Sequence, residues 1–266
     1  MTTFGFIGTG NMGSAMAKAA RKKLSGEQIL LANRTAAKAQ HLADQLDGLV
    51  TDNRTIAEKA DYIFLGVKPQ MMAGMLADIA PVLAARQDRF ILVTMAGGMM
   101  IERIREFAGS NYPVIRILPN TPSAIGEGIV FHTCTDDVAP EEMEFFLDTM
   151  SGAGRLSELP EKLMDAGSAV AGCGPAFASM FLEALADGGV ACGLPRAAAM
   201  EYAAQMMLGT AKLALESGKH PGAMKDAVCS PGGATIQGVR TLERNGFRSA
   251  VFEAVIDACE AHNKLK

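Results

Sequence analysis

The amino-terminal stretch Thr3-Phe4-Gly5-Phe6-Ile7-Gly8-Thr9-Gly10-Asn11-Met12-Gly13 decides the fold of this chain. It begins as a short apolar run typical of a buried strand and continues with the spacing G-x-G-x-x-G. In a strand–turn–helix unit, Gly8 allows the tight turn, Gly10 leaves room for a pyrophosphate, and Gly13 lets helix and strand approach closely. The stretch therefore predicts a dinucleotide-binding turn at Gly8, Gly10, Asn11, Met12 and Gly13. The alternative is a glycine-rich turn that binds nothing.

Apolar runs alternate with helix-period segments through the first 160 residues, which predicts an α/β fold with a doubly wound, mostly parallel sheet. The predicted strands cover residues 4–7, 29–32, 61–67, 90–94, 114–118 and 129–132. Helical patterns lie between them, at residues 15–24, 36–46, 71–84, 101–107 and 140–150. The strand pattern stops after Pro160, and helices rich in Ala, Met and Leu follow. We expect a Rossmann domain at residues 1–159 and an all-helical dimerisation domain at residues 160–266.

Composition and charge exclude several classes of protein. The chain has 266 residues, of which 49% are hydrophobic, and a formal net charge of −4. This balance excludes a disordered chain and offers no basic face for nucleic acid. The five cysteines are scattered without C-x-x-C spacing, so we expect no metal site and a reducing, cytoplasmic location. Residues 166–182 carry no charge but contain glycine and proline, so we expect a buried helix pair broken at Gly174-Pro175 and no membrane span.

The end of the second predicted strand indicates the type of nucleotide. The run there is Leu31-Ala32-Asn33-Arg34-Thr35, and no acidic residue lies between Glu27 and Asp44. A carboxylate at this place would bind the ribose 2′-hydroxyl of NADH and repel a 2′-phosphate, whereas an amide, a guanidinium and a hydroxyl would hold that phosphate. Asn33, Arg34 and Thr35 therefore favour NADPH, with NADH possible. The alternative is that Arg34 is a solvated loop arginine.

Further strings along the chain carry a family resemblance. They are Val67-Lys68-Pro69, Arg116-Ile117-Leu118-Pro119-Asn120-Thr121-Pro122, Gly172-Cys173-Gly174-Pro175-Ala176-Phe177, Gly193-Leu194-Pro195-Arg196 and Ser230-Pro231-Gly232-Gly233-Ala234-Thr235. In this order and spacing the chain resembles pyrroline-5-carboxylate reductases from residue 3 to residue 260. The string that begins at Ser230 is the most specific of them.

The resemblance implies an NAD(P)H-dependent reduction of Δ1-pyrroline-5-carboxylate to L-proline by a homo-oligomer, either a dimer or a decamer. It implies that further residues line the cofactor beside the glycine turn and the run that begins at Asn33: Asn53, Val67, Lys68, Pro69, Ala96 and Gly97. It also implies substrate-binding residues: Ser230, Gly233, Ala234 and Thr235, with Glu161 nearby. Thr235 is the candidate catalytic residue.

The residues around Ser230 support this reading on physical grounds. The string precedes a helical pattern that begins at Thr235, so free N–H groups at a helix amino terminus could bind a carboxylate without Lys or Arg. The Thr235 hydroxyl could then hydrogen-bond the ring nitrogen of the substrate. The alternative is a helix cap that binds no ligand. For Lys68, the alternative is an ordinary surface lysine.

Two other functions remain open from the sequence. A β-hydroxyacid dehydrogenase shares a Rossmann domain followed by helices, but it uses a lysine early in the second domain, and no lysine occurs between Lys162 and Lys212. A non-catalytic NADP-binding sensor would not need the anion site expected in the helical half.

Overall fold

The computed structural model describes residues 1–263, and an eight-stranded sheet organises the first part of the chain. Its strands are β1 (Phe4–Ile7), β2 (Ile29–Ala32), β3 (Leu49–Val50), β4 (Tyr62–Leu65), β5 (Ile91–Thr94), β6 (Val114–Pro119), β7 (Gly128–Cys134) and β8 (Gly154–Glu158). The spatial order is β3-β2-β1-β4-β5-β6-β7-β8. Neighbouring strands in this sheet are parallel, apart from the antiparallel pair β6–β7. The predicted doubly wound, mostly parallel sheet is confirmed.

Helices follow most strands and then fill the rest of the described chain. They are α1 (Asn11–Arg21), α2 (Ala36–Leu46), α3 (Asn53–Lys59), α4 (Pro69–Ala85), α5 (Ile101–Ala108), α6 (Pro140–Met150), α7 (Met164–Ala171), α8 (Gly174–Ala191), α9 (Arg196–Ser217), α10 (Pro221–Ala227), α11 (Ala234–Arg244) and α12 (Phe247–Asn263). A single 3₁₀ turn, Glu161–Leu163, precedes α7.

The sheet has an apolar core on each face because side chains alternate along a strand. Phe4 and Phe6 lie on the face covered by α1, α2 and α6, where the Phe6 and Phe64 ring centroids are 4.4 Å apart. Ile7 and Ile63 lie on the other face, against residues of α3, α4 and α5. With both faces covered, the central strands are continuous apolar runs, which explains why the sequence predicts them.

The structure adds two strands that the apolar pattern does not predict. Strand β3 has two residues, Leu49 and Val50, and both are exposed at the edge of the sheet. Strand β8 has the sequence Gly-Arg-Leu-Ser-Glu and lies at the opposite edge. An edge strand is covered on fewer sides, so its sequence need not be an apolar run.

The chain forms two compact units, which we call the sheet unit and the helical unit. The sheet unit comprises Met1–Gly172 together with the end of α12 from Ala258, and the helical unit is Cys173–Asp257. The boundary between these units follows α7, because Met164 and Ala169 of α7 are fully buried in the sheet unit. The domain division at residues 159 and 160 stays a prediction.

The helical unit has almost no core of its own. Over Cys173–Asp257, all of which the structure describes, the buried residues are Ala186, Ala199 and Ala203. The expected break is present, since α7 ends at Ala171 and α8 begins at Gly174, but the expected burial is wrong for α8 in a single chain, where Ala186 is its one buried residue. The stretch Glu161–Ala191 is long and apolar enough to cross a membrane, and 11% of its most apolar window is buried.

Candidate functional site

The carboxyl ends of four parallel strands lie side by side at one edge of the sheet. Ile7, the last residue of β1, pairs with Ala32 of β2 and Leu65 of β4, and Leu65 pairs with Thr94 of β5. The segments that follow these strands therefore meet at this edge, where open α/β sheets bind ligands. They contain the glycine turn, the run that begins at Asn33, the residues from Val67 and the turn with Ala96 and Gly97, which sequence reasoning assigned to the cofactor.

The three glycines of the turn have different reasons to lack a side chain. Gly8 has a φ of +102°, and a Cβ on it would lie 2.6 Å from the carbonyl oxygen of Gly66. A Cβ on Gly13 would lie 2.0 Å from the Gly8 carbonyl oxygen. A Cβ on Gly10, in contrast, would have no protein atom within 4 Å among the described residues. The fold requires Gly8 and Gly13, while the space beside Gly10 is open for a ligand.

This open space faces a helix amino terminus. Gly10 is the N-cap of α1 and has no side-chain cap, and the first turn of α1 contains no acidic residue. The first N–H groups of a helix have no partner within the helix and carry partial positive charge. The turn can therefore accept a phosphate group.

Asn33 shapes the turn from the neighbouring strand. Its Oδ1 accepts a hydrogen bond from the Thr9 N–H at 3.2 Å, and its Nδ2 donates to the Thr35 carbonyl at 3.1 Å. Both Arg34 and Thr35 are exposed beside it. The Arg34 side chain is thus an exposed cation just past the end of β2.

The remaining predicted cofactor residues are placed at the starts of helices or in a turn at the same edge. Asn53 is the first residue of α3. Lys68 is the exposed N-cap of α4, and Pro69 is the first residue of that helix. After β5, Ala96 is buried at 3% exposure and Gly97 is exposed. Residues 96–98, Ala-Gly-Gly, therefore carry no large side chain in the turn that follows β5.

The string that begins at Ser230 forms a helix start within the helical unit. The Gly233 N–H donates to the Ser230 carbonyl at 3.1 Å, and Gly233 is the N-cap of α11 without a side-chain cap. A Cβ on Gly233 would lie 2.3 Å from Ser230 Oγ. Ala234 and Thr235 open α11 and are exposed. This turn offers N–H groups and two hydroxyls, those of Ser230 and Thr235, a donor set suited to a carboxylate and a ring nitrogen.

Glu161 lies in the sheet unit and binds a residue to which sequence reasoning gave no role. Its Oε1 accepts hydrogen bonds from Arg116 Nη1 at 3.0 Å and from the Ile101 N–H at 2.8 Å. Arg116 lies in β6 and is 0% exposed. The one signal in the sequence is a charged residue in the middle of the aliphatic run Val114-Ile115-Arg116-Ile117-Leu118. That signal gives no information about its partner.

The histidines have structural contacts. His132 is 7% exposed in β7, and burial lowers the pKa of its ring. His220 Nδ1 accepts from the Gly222 N–H at 3.1 Å and so caps α10. Within residues 1–263, no three His, Cys, Asp or Glu side chains form a group that could hold a metal ion.

Comparison with known proteins agrees with this geometry. The family described as pyrroline-5-carboxylate reductase dimerisation matches residues 161–265, and the family described as NADP oxidoreductase, coenzyme F420-dependent, matches residues 3–98. Pyrroline-5-carboxylate reductase of Synechocystis is 39% identical over 98% of this chain and 97% of its own length. The protein of that name from Escherichia coli is 38% identical over 98% and 97%.

Solved structures of pyrroline-5-carboxylate reductases are also similar to this chain. Plasmodium falciparum pyrroline carboxylate reductase with NADP bound is 30% identical, with a TM-score of 0.89 over 99% of this chain and 98% of that one. The pyrroline-5-carboxylate reductase of Coxiella burnetii is 25% identical with a TM-score of 0.89. The match at residues 161–265 covers the helical unit that lacks a core, as expected for an oligomeric enzyme. The full-length relatives, the two family matches and the shared fold together show that the chain belongs to the pyrroline-5-carboxylate reductase family, as its motifs predict.

Proposed function

We propose that this chain reduces L-Δ1-pyrroline-5-carboxylate to L-proline with hydride from NAD(P)H, the last step of proline biosynthesis. The observation that carries the proposal is the near full-length relation to reductases of that name, together with the open space at Gly10. The hydride goes to the imine carbon, the imine π-electron pair goes to nitrogen, and nitrogen takes up one proton. The product is the secondary amine of proline.

The cofactor site lies at the carboxyl edge of the sheet. The N–H groups at the start of α1, beside Gly10, Asn11 and Met12, bind the pyrophosphate. Asn33, Arg34 and Thr35 bind the 2′-phosphate, which makes NADPH the preferred cofactor over NADH. The further residues that line the adenosine and nicotinamide parts are Asn53, Val67, Lys68, Pro69, Ala96 and Gly97.

The substrate site is the start of α11. The free N–H groups of Ala234 and Thr235 bind the substrate carboxylate, beside Ser230 and Gly233. Thr235 orients the ring nitrogen by a hydrogen bond, and the substrate binds already protonated or takes its proton from water. The burial of His132 and the helix cap made by His220 support this assignment, because they give both rings structural roles.

The oligomer is a dimer, or a decamer built from dimers, formed through the helical unit. The exposed apolar residues of that unit support the proposal; among the most exposed are Met180, Tyr202, Leu208, Leu215 and Phe252. Burial between subunits also explains why the apolar stretch Glu161–Ala191 needs no membrane. We place the enzyme in the cytoplasm, with no membrane or nucleic-acid partner.

The decisive experiment is a spectrophotometric assay of NADPH oxidation on addition of pyrroline-5-carboxylate. Turnover that depends on the imine, with proline as the product, is the expected result. Oxidation of a β-hydroxyacid with NADP⁺ serves as the control for the alternative dehydrogenase. Activity in the control reaction alone would overturn the proposal, and activity in neither would favour the non-catalytic sensor.

A further inference from the structure

Arg116 is the largest fully buried side chain of the described chain, and it is charged. Removing a guanidinium from water costs several kcal/mol unless it is paired and hydrogen-bonded. Its partners are Glu161 Oε1 at 3.0 Å and Asp165 Oδ1 at 3.6 Å, and its Nη1 also contacts Met100 Sδ at 3.4 Å. A buried cation held by these groups fixes their relative positions.

These contacts converge on one turn, residues 95–100, which we call the β5 turn. Arg116 pairs in register with Thr94, the last residue before the turn. Met100, at the end of the turn, contacts the guanidinium, and the next N–H, that of Ile101, donates to Glu161 Oε1 at 2.8 Å. Ile101 is the first residue of α5, so the carboxylate also meets the positive end of that helix. Both ends of the β5 turn are thereby held.

The β5 turn contains Ala96 and Gly97, which the proposed function assigns to the cofactor. We infer that Glu161 and Arg116 are positioning residues for hydride transfer: they touch neither cofactor nor substrate, and they fix the β5 turn against which the nicotinamide binds. This inference rests on the proposed function. It also changes the expected role of Glu161, from a residue near the substrate to one that acts through Arg116 and Ile101.

Glu161 lies at the start of the region that the dimerisation family matches. Glu161 begins the 3₁₀ turn before α7, and residues 161–265 are matched by the dimerisation family. The ion pair between Glu161 and Arg116 therefore links the first residue of the dimerisation region to the β5 turn.

Three variants test the inference: Glu161→Ala, Glu161→Gln and, as a matched control, Asp137→Asn. Asp137 forms an ion pair of similar length with Arg105 of α5, at 2.8 Å, in a more exposed place. Misplacing reacting groups by about 1 Å can cost roughly 100-fold in rate, so for Glu161→Ala we expect kcat to fall about 10- to 100-fold. The kinetic isotope effect with NADPH deuterated at the transferred position should rise, because hydride transfer becomes more rate-limiting. Asp137→Asn should leave both unchanged.

Glu161→Gln keeps an oxygen that can accept from the Ile101 N–H but removes the charge. We expect the kcat of Glu161→Gln to be much closer to that of the wild type than the kcat of Glu161→Ala is. Its isotope effect should lie between those of the wild type and Glu161→Ala. If Glu161→Ala does not fold, Glu161→Gln carries the test, and an unchanged isotope effect overturns the inference. A raised KM for pyrroline-5-carboxylate with unchanged kcat also overturns it, because Glu161 would then touch the substrate.

Hydrogen exchange separates this inference from the proposed function. In Glu161→Ala, amides of residues 95–101 should exchange faster than in the wild type and in Asp137→Asn, whatever the substrate of the enzyme is. If the wild type does not reduce the imine, the proposed function fails, but this readout still tests whether Glu161 holds the β5 turn. Unchanged exchange there overturns the inference.

Discussion

The sheet unit and the helical unit differ most in where their apolar residues lie. In the sheet unit, large side chains such as Phe4, Phe64 and Phe146 are fully buried in cores on two faces. In the helical unit, which the structure describes completely, the buried residues are three alanines. Yet both sequences are rich in apolar residues. Composition alone therefore does not say whether a segment builds its own core or shares one with another subunit.

The difference has an energetic consequence. Burying apolar surface contributes roughly 25 cal/mol per Å², while ordering each residue costs about 1–2 kcal/mol of backbone entropy. The sheet unit can offset that cost within one chain. The helical unit can offset it only by burying residues such as Tyr202 and Phe252 against a partner, and the proposed substrate turn at Ser230 belongs to this unit. We therefore expect activity to depend on association.

The largest expected effect breaks that association. Leu208 of α9 is 58% exposed in the single chain, and Leu208→Glu would place a charge in the proposed interface. An unpaired buried charge costs about 3–5 kcal/mol, which corresponds to a loss of roughly 100- to 1000-fold or more in the association constant. Sedimentation velocity at the assay concentration should show monomers, and activity should fall with the oligomer fraction.

Leu49→Glu is the matched control for this variant. Leu49 is 48% exposed on the edge strand β3 of the sheet unit, so the same substitution should leave association and activity unchanged. A Leu208→Glu enzyme that is monomeric and fully active would contradict the dependence on a dimer.

The next prediction compares two glycines of the sheet unit, one that ligand binding requires and one that the fold requires. Gly10→Ala should fold normally, since its Cβ would have no protein atom of the described chain within 4 Å, but it should weaken NADPH binding about 10- to 100-fold by occupying the space for pyrophosphate. Gly13→Ala should instead lower the free energy of unfolding by about 1–3 kcal/mol, because its Cβ would lie 2.0 Å from the Gly8 carbonyl oxygen. Calorimetric melting with and without NADPH checks both. Equal losses of melting temperature in the two variants would contradict the assignment of Gly10 to cofactor binding and of Gly13 to the fold.

The two units also show how far sequence reasoning reaches. Local patterns were enough for the central strands and for the glycine turn, because apolar period and glycine spacing are set by neighbours along the chain. Strand β8 and the partner of Arg116 were missed, since an edge strand need not be apolar and Glu161 lies 45 residues away in sequence. The prediction that α8 is buried within its own chain is wrong. Its apolar composition indicates that the helix is buried, but not whether its own chain or a partner subunit buries it.

Cofactor choice should respond to the exposed Arg34 and not to Arg54, another exposed arginine of the sheet unit. Arg34→Ala removes a charge-assisted contact to the 2′-phosphate, which contributes about 1.5–3 kcal/mol, so the KM for NADPH should rise about 10- to 100-fold. The KM for NADH should change little. Arg54→Ala is the matched control, because the Arg54 guanidinium binds Asp78 of α4 at 2.9 Å. Initial-rate kinetics with both cofactors checks this, and equal effects of Arg34→Ala on both would refute a 2′-phosphate contact.

The smallest effect concerns Thr235 in the helical unit, where the substrate proposal depends on one hydroxyl. General acid catalysis typically contributes about 100- to 10,000-fold, whereas one neutral orienting hydrogen bond contributes about 0.5–1.5 kcal/mol, or roughly 2- to 13-fold. If Thr235 only orients the ring nitrogen, Thr235→Ala keeps measurable turnover and raises the KM for the imine. Thr235→Ser, which keeps the hydroxyl, serves as the control and should stay near the wild type. Steady-state kinetics at saturating NADPH distinguishes the two roles. A fall in kcat above about 1000-fold in Thr235→Ala, with fold and NADPH affinity intact, would make Thr235 the proton donor instead.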